Sequence, residues 1–150
     1  MAPSALKGVK IIEHCTTVSG AYCGKLMADL GAEVIKIEPP VIGDGARRKP
    51  PFLKDDADPE KSGLFLYLNT NKLGITLDPS KPQGRGILKR LVNQADILIE
   101  DHPPGEMEKM GLGYDTLKKD NPGLIMLAIT PFGQTGPYKD YKGSDLILTA

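Results

Sequence analysis

The side chains with chemistry to offer are two histidines, two cysteines and scattered charge. Neither His14 nor His102 has a second histidine at ligand spacing. Asp101 and His102 are adjacent in sequence, which does not aim both side chains at one ion. The spacing therefore argues against a zinc site and against a Ser-His-Asp triad. His102 follows an apolar run and opens a loop, where a histidine either touches a ligand or is solvated. Cys15 and Cys23 form neither a CxxC pair nor a disulfide framework. They read as reduced thiols that pack as small apolar groups, with the cytoplasm as the expected compartment. Arg47-Arg48-Lys49 and Lys109 are of the type that pairs with phosphate, or that simply solvates a loop. No two acids stand at a spacing suited to general acid/base work. Gly20 and Gly24 are spaced GxxxG where a dinucleotide-binding loop would carry GxGxxG. Without those glycines a pyrophosphate could not approach the backbone, so NAD is not expected. Glu38 then reads as a solvated strand end rather than a ribose ligand.

These residues are positioned by alternating strands and helices. Val9 to His14 reads as a strand. Ser19 is a plausible helix N-cap, Cys23, Leu26, Met27 and Leu30 recur at helical spacing, and Gly31 ends the helix. Glu33 to Glu38 alternates outward and inward as a second strand. Strand, helix and strand within a short span favour a parallel βαβ unit. Pro39 to Ser62 is charged and rich in Pro and Gly, a long surface loop. Leu64 to Leu68 and Gly74 to Leu77 are short extended candidates, and Gly84 to Asn93 is a helix. Asp96 to Glu100 is a buried strand, and Glu106 to Met110 and Tyr114 to Lys119 are short helices. Leu124 to Ile129 is long and apolar, a central strand, and Ser144 to Ala150 begins a further helix. The order implies an α/β fold: a Rossmann-like, mostly parallel sheet with flanking helices. In such sheets ligands bind at the carboxyl ends of the strands. The loops of interest are therefore 15–19, 38–40, 78–81, 101–105 and 130–137.

Charge narrows the partners. Lys plus Arg and Asp plus Glu both number 19, so no basic field exists for nucleic acid or an anionic membrane surface. No apolar run approaches the length of a membrane span, and Met1 to Gly8 lacks the apolar segment of a signal peptide.

Four segments, in order, resemble the family III coenzyme A transferases, the group that includes formyl-CoA and carnitine-CoA transferases and α-methylacyl-CoA racemase. Leu6 to Pro40 is similar to the family's opening, with its helix ending Leu-Gly-Ala-x-Val-Ile-Lys-Ile-Glu. Leu68 to Asp78 resembles Asn-x-Asn-Lys-x-x-x-x-Leu-Asp. Ala95 to Leu117 resembles Ala-Asp-(x)3-Glu-Asn-Phe-x-Pro-Gly. Asn121 to Tyr138 resembles an Asn-Pro-x-Leu-Ile strand followed by Phe-Gly-Gln-x-Gly-Pro. The resemblance identifies residues 1–150 as the N-terminal, CoA-binding α/β part of the large domain. It implies coenzyme A contacts at Val18 and Ser19, at Leu77, Asp78, Pro79 and Ser80, at Asp101, His102 and Pro103, at Lys109, and at Thr130, Pro131, Phe132 and Gly133. Two departures stand out: Pro39 replaces an arginine that reaches phosphate in some members, and Asp101-His102 replaces Asn-Phe. Arg47, Arg48 and Lys109 are the basic residues that could supply the charge instead.

The family's aspartyl nucleophile falls beyond the position of Ala150. Asp145 precedes it at a helix start, where an acid is explained by helix electrostatics. The racemase branch carries a histidine where Ser144 stands, and a hydroxyl cannot act as acid/base near neutral pH. The implied activity is CoA transfer between an acyl-CoA and a carboxylic acid, by an interlocked homodimer, without metal or NAD. Two other classes stay open: a non-catalytic CoA- or nucleotide-binding module, or half of a two-chain enzyme; and a Rossmann oxidoreductase.

Overall fold

The structure, a computed structural model, describes residues 4–149. The expectations for Met1 to Pro3 and for Ala150 lie outside the described residues. Strand β1 (Lys10–His14) leads into helix α1 (Val18–Asp29) and strand β2 (Glu33–Glu38). The long loop follows, with two 3-10 turns, Gly45–Arg48 and Leu53–Asp55. Then come α2 (Gly63–Leu68), β3 (Leu73–Thr76), α3 (Pro82–Val92), β4 (Ile97–Glu100), α4 (Glu106–Lys109), α5 (Tyr114–Asp120), β5 (Ile125–Ala128) and α6 (Asp145–Thr149).

The five strands form one all-parallel sheet in the order β3-β2-β1-β4-β5. The chain therefore builds outward from β1 through β2 and β3, then returns to the other side of β1 for β4 and β5. The crevice above β1 and β4 is the topological switch point, where ligands bind in such sheets. Period-two alternation divides the core between the two faces. Ile12, Leu98, Leu88, Val92 and Leu117 form one cluster; Ile11, Ile99, Val34 and Ala28 belong to the other.

Three expectations change. Leu64 to Leu68 is helical, not extended. Ser62 caps α2 by accepting a hydrogen bond from the Phe65 N–H at 3.2 Å, and Leu64, Phe65 and Leu68 pack around Ala21 and Ala46. A five-residue apolar run carries no period of its own, so the cap decides. Strand β5 lies at the edge of the sheet formed by the described residues, not at its centre, and Ile125 is 61 % exposed. Helix α1 buries Gly20, Ala21, Gly24 and Ala28, while Leu26 and Leu30 face outward and Cys23 and Met27 are partly buried. Small residues face the sheet because side chains of β1 and of Cys15 just after it fill the space: a Cβ at Gly20 would lie 2.5 Å from Cys15 Sγ, and one at Gly24 2.0 Å from Glu13 Oε2.

Gly24→Ala is therefore expected to destabilise the fold by at least ~1–3 kcal/mol, the usual cost of overpacking a filled core. Gly86→Ala, in α3 with nothing within 4 Å of the new methyl, is expected to stabilise by ~0.5–1 kcal/mol. Urea unfolding of the two variants beside the parent checks both signs.

Candidate functional site

The carboxyl end of the sheet is held by buried charge. Glu13 on β1 and Lys36 on β2 are register partners, and both are almost wholly buried. Lys36 Nζ lies 2.8 Å from Glu13 Oε1 and 2.6 Å from Asp44 Oδ2. Lys72 Nζ lies 2.7 Å from Glu13 Oε2, and it donates to the Ala21 carbonyl at 2.7 Å and to Asn69 Oδ1 at 3.0 Å. Burial opposes the charge on Lys36, but the carboxylates of Glu13 and Asp44 outweigh it and hold its pKa above the ordinary lysine value. On Lys72 burial wins over the attraction of Glu13, so its pKa is lowered. The alternation of β2 holds, with Val34 in one core cluster and Ile35 and Ile37 in the other, and Lys36 is buried because β1 offers a carboxylate at the same register.

Glu38 is likewise not a solvated strand end. Its carboxylate accepts from Arg47 at 2.7 and 2.9 Å and from the Asp44 N–H at 2.8 Å. The Arg47 bond and the backbone N–H keep the Glu38 carboxyl below its usual range against the effect of burial. Arg47 also reaches Glu60 at 2.8 Å and lies over the Phe65 ring. It is consumed in pinning the long loop rather than free for a phosphate. Arg48 remains exposed and donates to the Ile42 carbonyl. Asp44 itself caps the first 3-10 turn by accepting from the Ala46 N–H, and the Ser62 hydroxyl lies 2.7 Å from the Ala46 and Lys49 carbonyl oxygens. The long loop is tied down by these contacts.

Above this base the strand ends converge. Asp101, just after β4, accepts the N–H groups of Thr16 at 2.9 Å and Thr17 at 2.6 Å. Thr17, not Ser19, is the N-cap residue of α1, and it makes no side-chain cap of its own. The Asp101 carboxylate instead holds the two N–H groups just before the helix and places a negative charge at its N-terminus. Val18 and Ser19 are thereby left exposed in the first turn. After β3, Asp78 accepts from the Ser80 hydroxyl at 2.6 Å and the Ser80 N–H at 3.0 Å, and the hydroxyl bond keeps the Asp78 carboxyl below its usual range.

Two cavities open here. One, of about 220 Å³, joins His14, Thr16, Ile37 and Pro39 to Leu77, Asp78, Pro79, Ser80 and His102. The other, of about 470 Å³, joins Asp101 and Pro103 to Thr130, Pro131 and the 139–143 segment. Nine of the expected contact residues line the two cavities: Leu77, Asp78, Pro79, Ser80 and His102 the first, and Asp101, Pro103, Thr130 and Pro131 the second. Val18 and Ser19, exposed on α1, Lys109, exposed on α4, and Phe132 and Gly133 line neither cavity. Phe132 instead meets the edge of the Tyr141 ring. Ser144 accepts from the Ile147 N–H at 3.4 Å at the start of α6, a capping role.

His14 was missed as a groove residue because the last residue of a strand reads as core. Its ring stacks on that of His102 with centroids 4.3 Å apart. Burial, and then the neighbouring His102, lower the His14 pKa to about 4. Burial pushes the Cys15 thiol well above its ordinary value, in keeping with an inert packed thiol. Among the described residues no cluster of three or more His, Cys, Asp or Glu side chains could hold a metal, and no helix is long and apolar enough to cross a membrane.

The family model for CoA-transferase family III matches residues 6–150. The succinyl-CoA–D-citramalate CoA-transferase of Chloroflexus aurantiacus is 42 % identical over 144 residues, 94 % of this chain and 34 % of that protein. The succinate–glutarate CoA-transferase of Agrobacterium fabrum is 41 % identical, over 95 % of this chain and 36 % of that protein. The crystal structure of a CAIB/BAIF family protein from Brucella suis superposes with a TM-score of 0.87 at 39 % identity, over 96 % of this chain and 38 % of that one. The chain spans about a third of the length of the curated relatives it matches.

Replacing the shared cation by Lys36→Met leaves two buried carboxylates short of a partner and is expected to cost ~3–5 kcal/mol, read by denaturant unfolding. The pH dependence has a definite sign. The unfolded chain protonates His14 near 6.5 and the folded chain only near 4, so acid favours unfolding between those values. The contribution of the neutral ring is complete above about pH 6.5 and declines as the pH falls toward about 4. Unfolding curves across that range should flatten in His14→Phe.

Proposed function

This chain belongs to CoA-transferase family III, and we propose that it is the CoA-binding part of an acyl-CoA:carboxylate CoA-transferase. The observation that carries the reading is its identity, 38 to 42 %, to several proteins named for transfer of CoA from succinyl-CoA. Their acceptors, D-citramalate and glutarate among them, point to succinyl-CoA as donor and a short dicarboxylic acid as acceptor.

In this reading CoA lies along the crevice at the carboxyl ends of the strands. Its contacts come from Val18 and Ser19, from the Leu77–Ser80 turn, from Asp101 to Pro103, and from Thr130 to Gly133, with Lys109 at the phosphates. Asp101 also holds the segment before α1 through the Thr16 and Thr17 N–H groups, which places Val18 and Ser19. The acyl step belongs to an aspartate in the part of the relatives that this chain does not span. Its carboxylate attacks the thioester carbonyl, forming a mixed anhydride and releasing the CoA thiolate. The thiolate then attacks the aspartyl carbonyl, freeing the donor acid and leaving an aspartyl thioester. The acceptor carboxylate attacks that thioester, and the returning thiolate completes the exchange. Splitting one difficult acyl transfer in this way is ordinary nucleophilic catalysis. A homodimer in the cytoplasm is the matching setting. The capping role of Ser144 supports transfer over racemisation, which would need an acid/base there.

Residues 1–150 are expected to bind CoA at one site per chain and to leave succinyl-CoA unconsumed in the presence of glutarate. Calorimetry with CoA and a thioester assay by mass spectrometry check the two halves. Absence of CoA binding contradicts the reading of the crevice, and CoA exchange by these residues alone contradicts the assignment of the nucleophile.

A further inference from the structure

Helix α1 is apolar on two sides. Its inner face is small: Gly20, Ala21, Gly24 and Ala28 lie against the sheet. On its outer face Tyr22, Leu26 and Leu30 follow one another in steps of four and are 42, 46 and 52 % exposed. Residues four apart line up as one ridge along a helix. Charge does not interrupt the ridge, because Lys25 pairs with Asp29 at 2.8 Å and leans over the Tyr67 ring. A helix that is small or apolar on nearly every side belongs inside a larger packed body.

The sheet beneath shows where cover is missing. Parallel sheets are normally covered on both faces. One face is filled by α3, α4 and α5 through Leu88, Val92, Met107 and Leu117. Among the described residues, the cluster on the other face takes helix side chains from α1 alone: Cys23, Met27 and Ala28. Ile97 of β4 and Leu127 of the edge strand β5 belong to that cluster and stay partly open. Cys23 and Met27 adjoin Leu26 and Leu30 around the helix, so the outer ridge runs on into this open strip.

The shape and chemistry of the strip select its occupant. A second copy of this chain fits poorly, since a stable interface buries about 800 Å² on each partner from roughly 20–30 residues and the ridge has only three large side chains. One helix laid beside α1 over β4 and β5 would cover ridge and strip together. Its inner face must be apolar, because Lys25 and Asp29 are already paired and a further buried charge would lose water without gaining a counterion. The similar proteins have chain to supply it: the matched region is 34 and 36 % of the two curated relatives and 38 % of the superposed structure.

We propose that the Tyr22–Leu26–Leu30 ridge and the β4–β5 strip beside it are the seat of an apolar helix, one that the similar proteins carry outside the matched third of their length.

The test co-expresses residues 1–150 with the unmatched part of the Agrobacterium fabrum succinate–glutarate CoA-transferase. It reads co-purification and the rate at which N-ethylmaleimide labels Cys23, which is partly exposed at the seat while Cys15 is buried. The two polypeptides are expected to purify together, with Cys23 labelling slowed about tenfold or more as the seat is covered. L26E and L30E place a charge on the seat and should each lower recovery of the partner about tenfold or more. I87E, on α3 against the opposite face of the sheet, should leave recovery unchanged. Should a glutamate variant fail to fold, Cys23 labelling in the parent chain decides alone. Association that survives both L26E and L30E, or that leaves Cys23 labelling unchanged, overturns the seat. Failure of the two polypeptides to associate overturns it as well. A dimer of the chain alone that L26E breaks gives the ridge to a second copy and overturns the helix as its occupant.

Discussion

Glu13 is the point on which the carboxyl end of the sheet depends. Its two oxygens meet two lysines from different elements, Lys36 on β2 and Lys72 just before β3, and Lys36 passes the charge on to Asp44 in the long loop. Four buried charges of zero net sum thereby link β1, β2, the α2–β3 turn and the loop. Such a network is costly to desolvate and adds little stability over a well-packed apolar core. Its effect is geometric: each member has its partners only when the strand ends and the loop sit in one arrangement. The GxxxG stripe of α1 follows from the same constraint, since Gly24 is the only residue type that leaves room for the Glu13 carboxylate beneath the helix.

On that base the switch point is organised from both sides of β1. Asp101 reaches from the end of β4 to the N-terminus of α1, and His102 from the same loop stacks on His14. One dipeptide thus fixes the helix start and forms a wall of the crevice. The opposite wall is the Leu77–Ser80 turn, held by its own Asp78–Ser80 hydrogen bonds and backed by α3 at Gly84, where a Cβ would lie 2.0 Å from the Asp78 carbonyl oxygen. The functional surface is made of short loops, but each is tied to a strand end or a helix terminus.

The five strands, every helix but α2 and the parallel class were legible because each strand is an apolar run and the longer helices carry apolar residues at helical spacing. What escaped the sequence was set by distant partners. Nothing in the sequence marks Lys36 as a buried ion-pair member until β1 is known to present Glu13 at the same register. Glu38 and Arg47 read as a solvated end and a free cation, and only the folding back of the loop shows that each neutralises the other. Leu26 and Leu30 read as the inner face of α1 because large apolar side chains usually point inward; close approach reversed the faces. For the site, periodicity reached only as far as the strand-end loops. The individual contact residues came from the family resemblance. Most line the two cavities, but Val18, Ser19, Lys109, Phe132 and Gly133 line neither, and His14 had no signal beyond closing a strand.

Whether CoA lies across the carboxyl ends of these strands is read by hydrogen–deuterium exchange with and without CoA. Slowed exchange is expected in the backbone of residues 16–19, 78–80, 101–102 and 130–133, with the opposite end of the sheet unchanged. Protection confined to the amino ends of the strands, or none in these loops at saturating CoA, would contradict it.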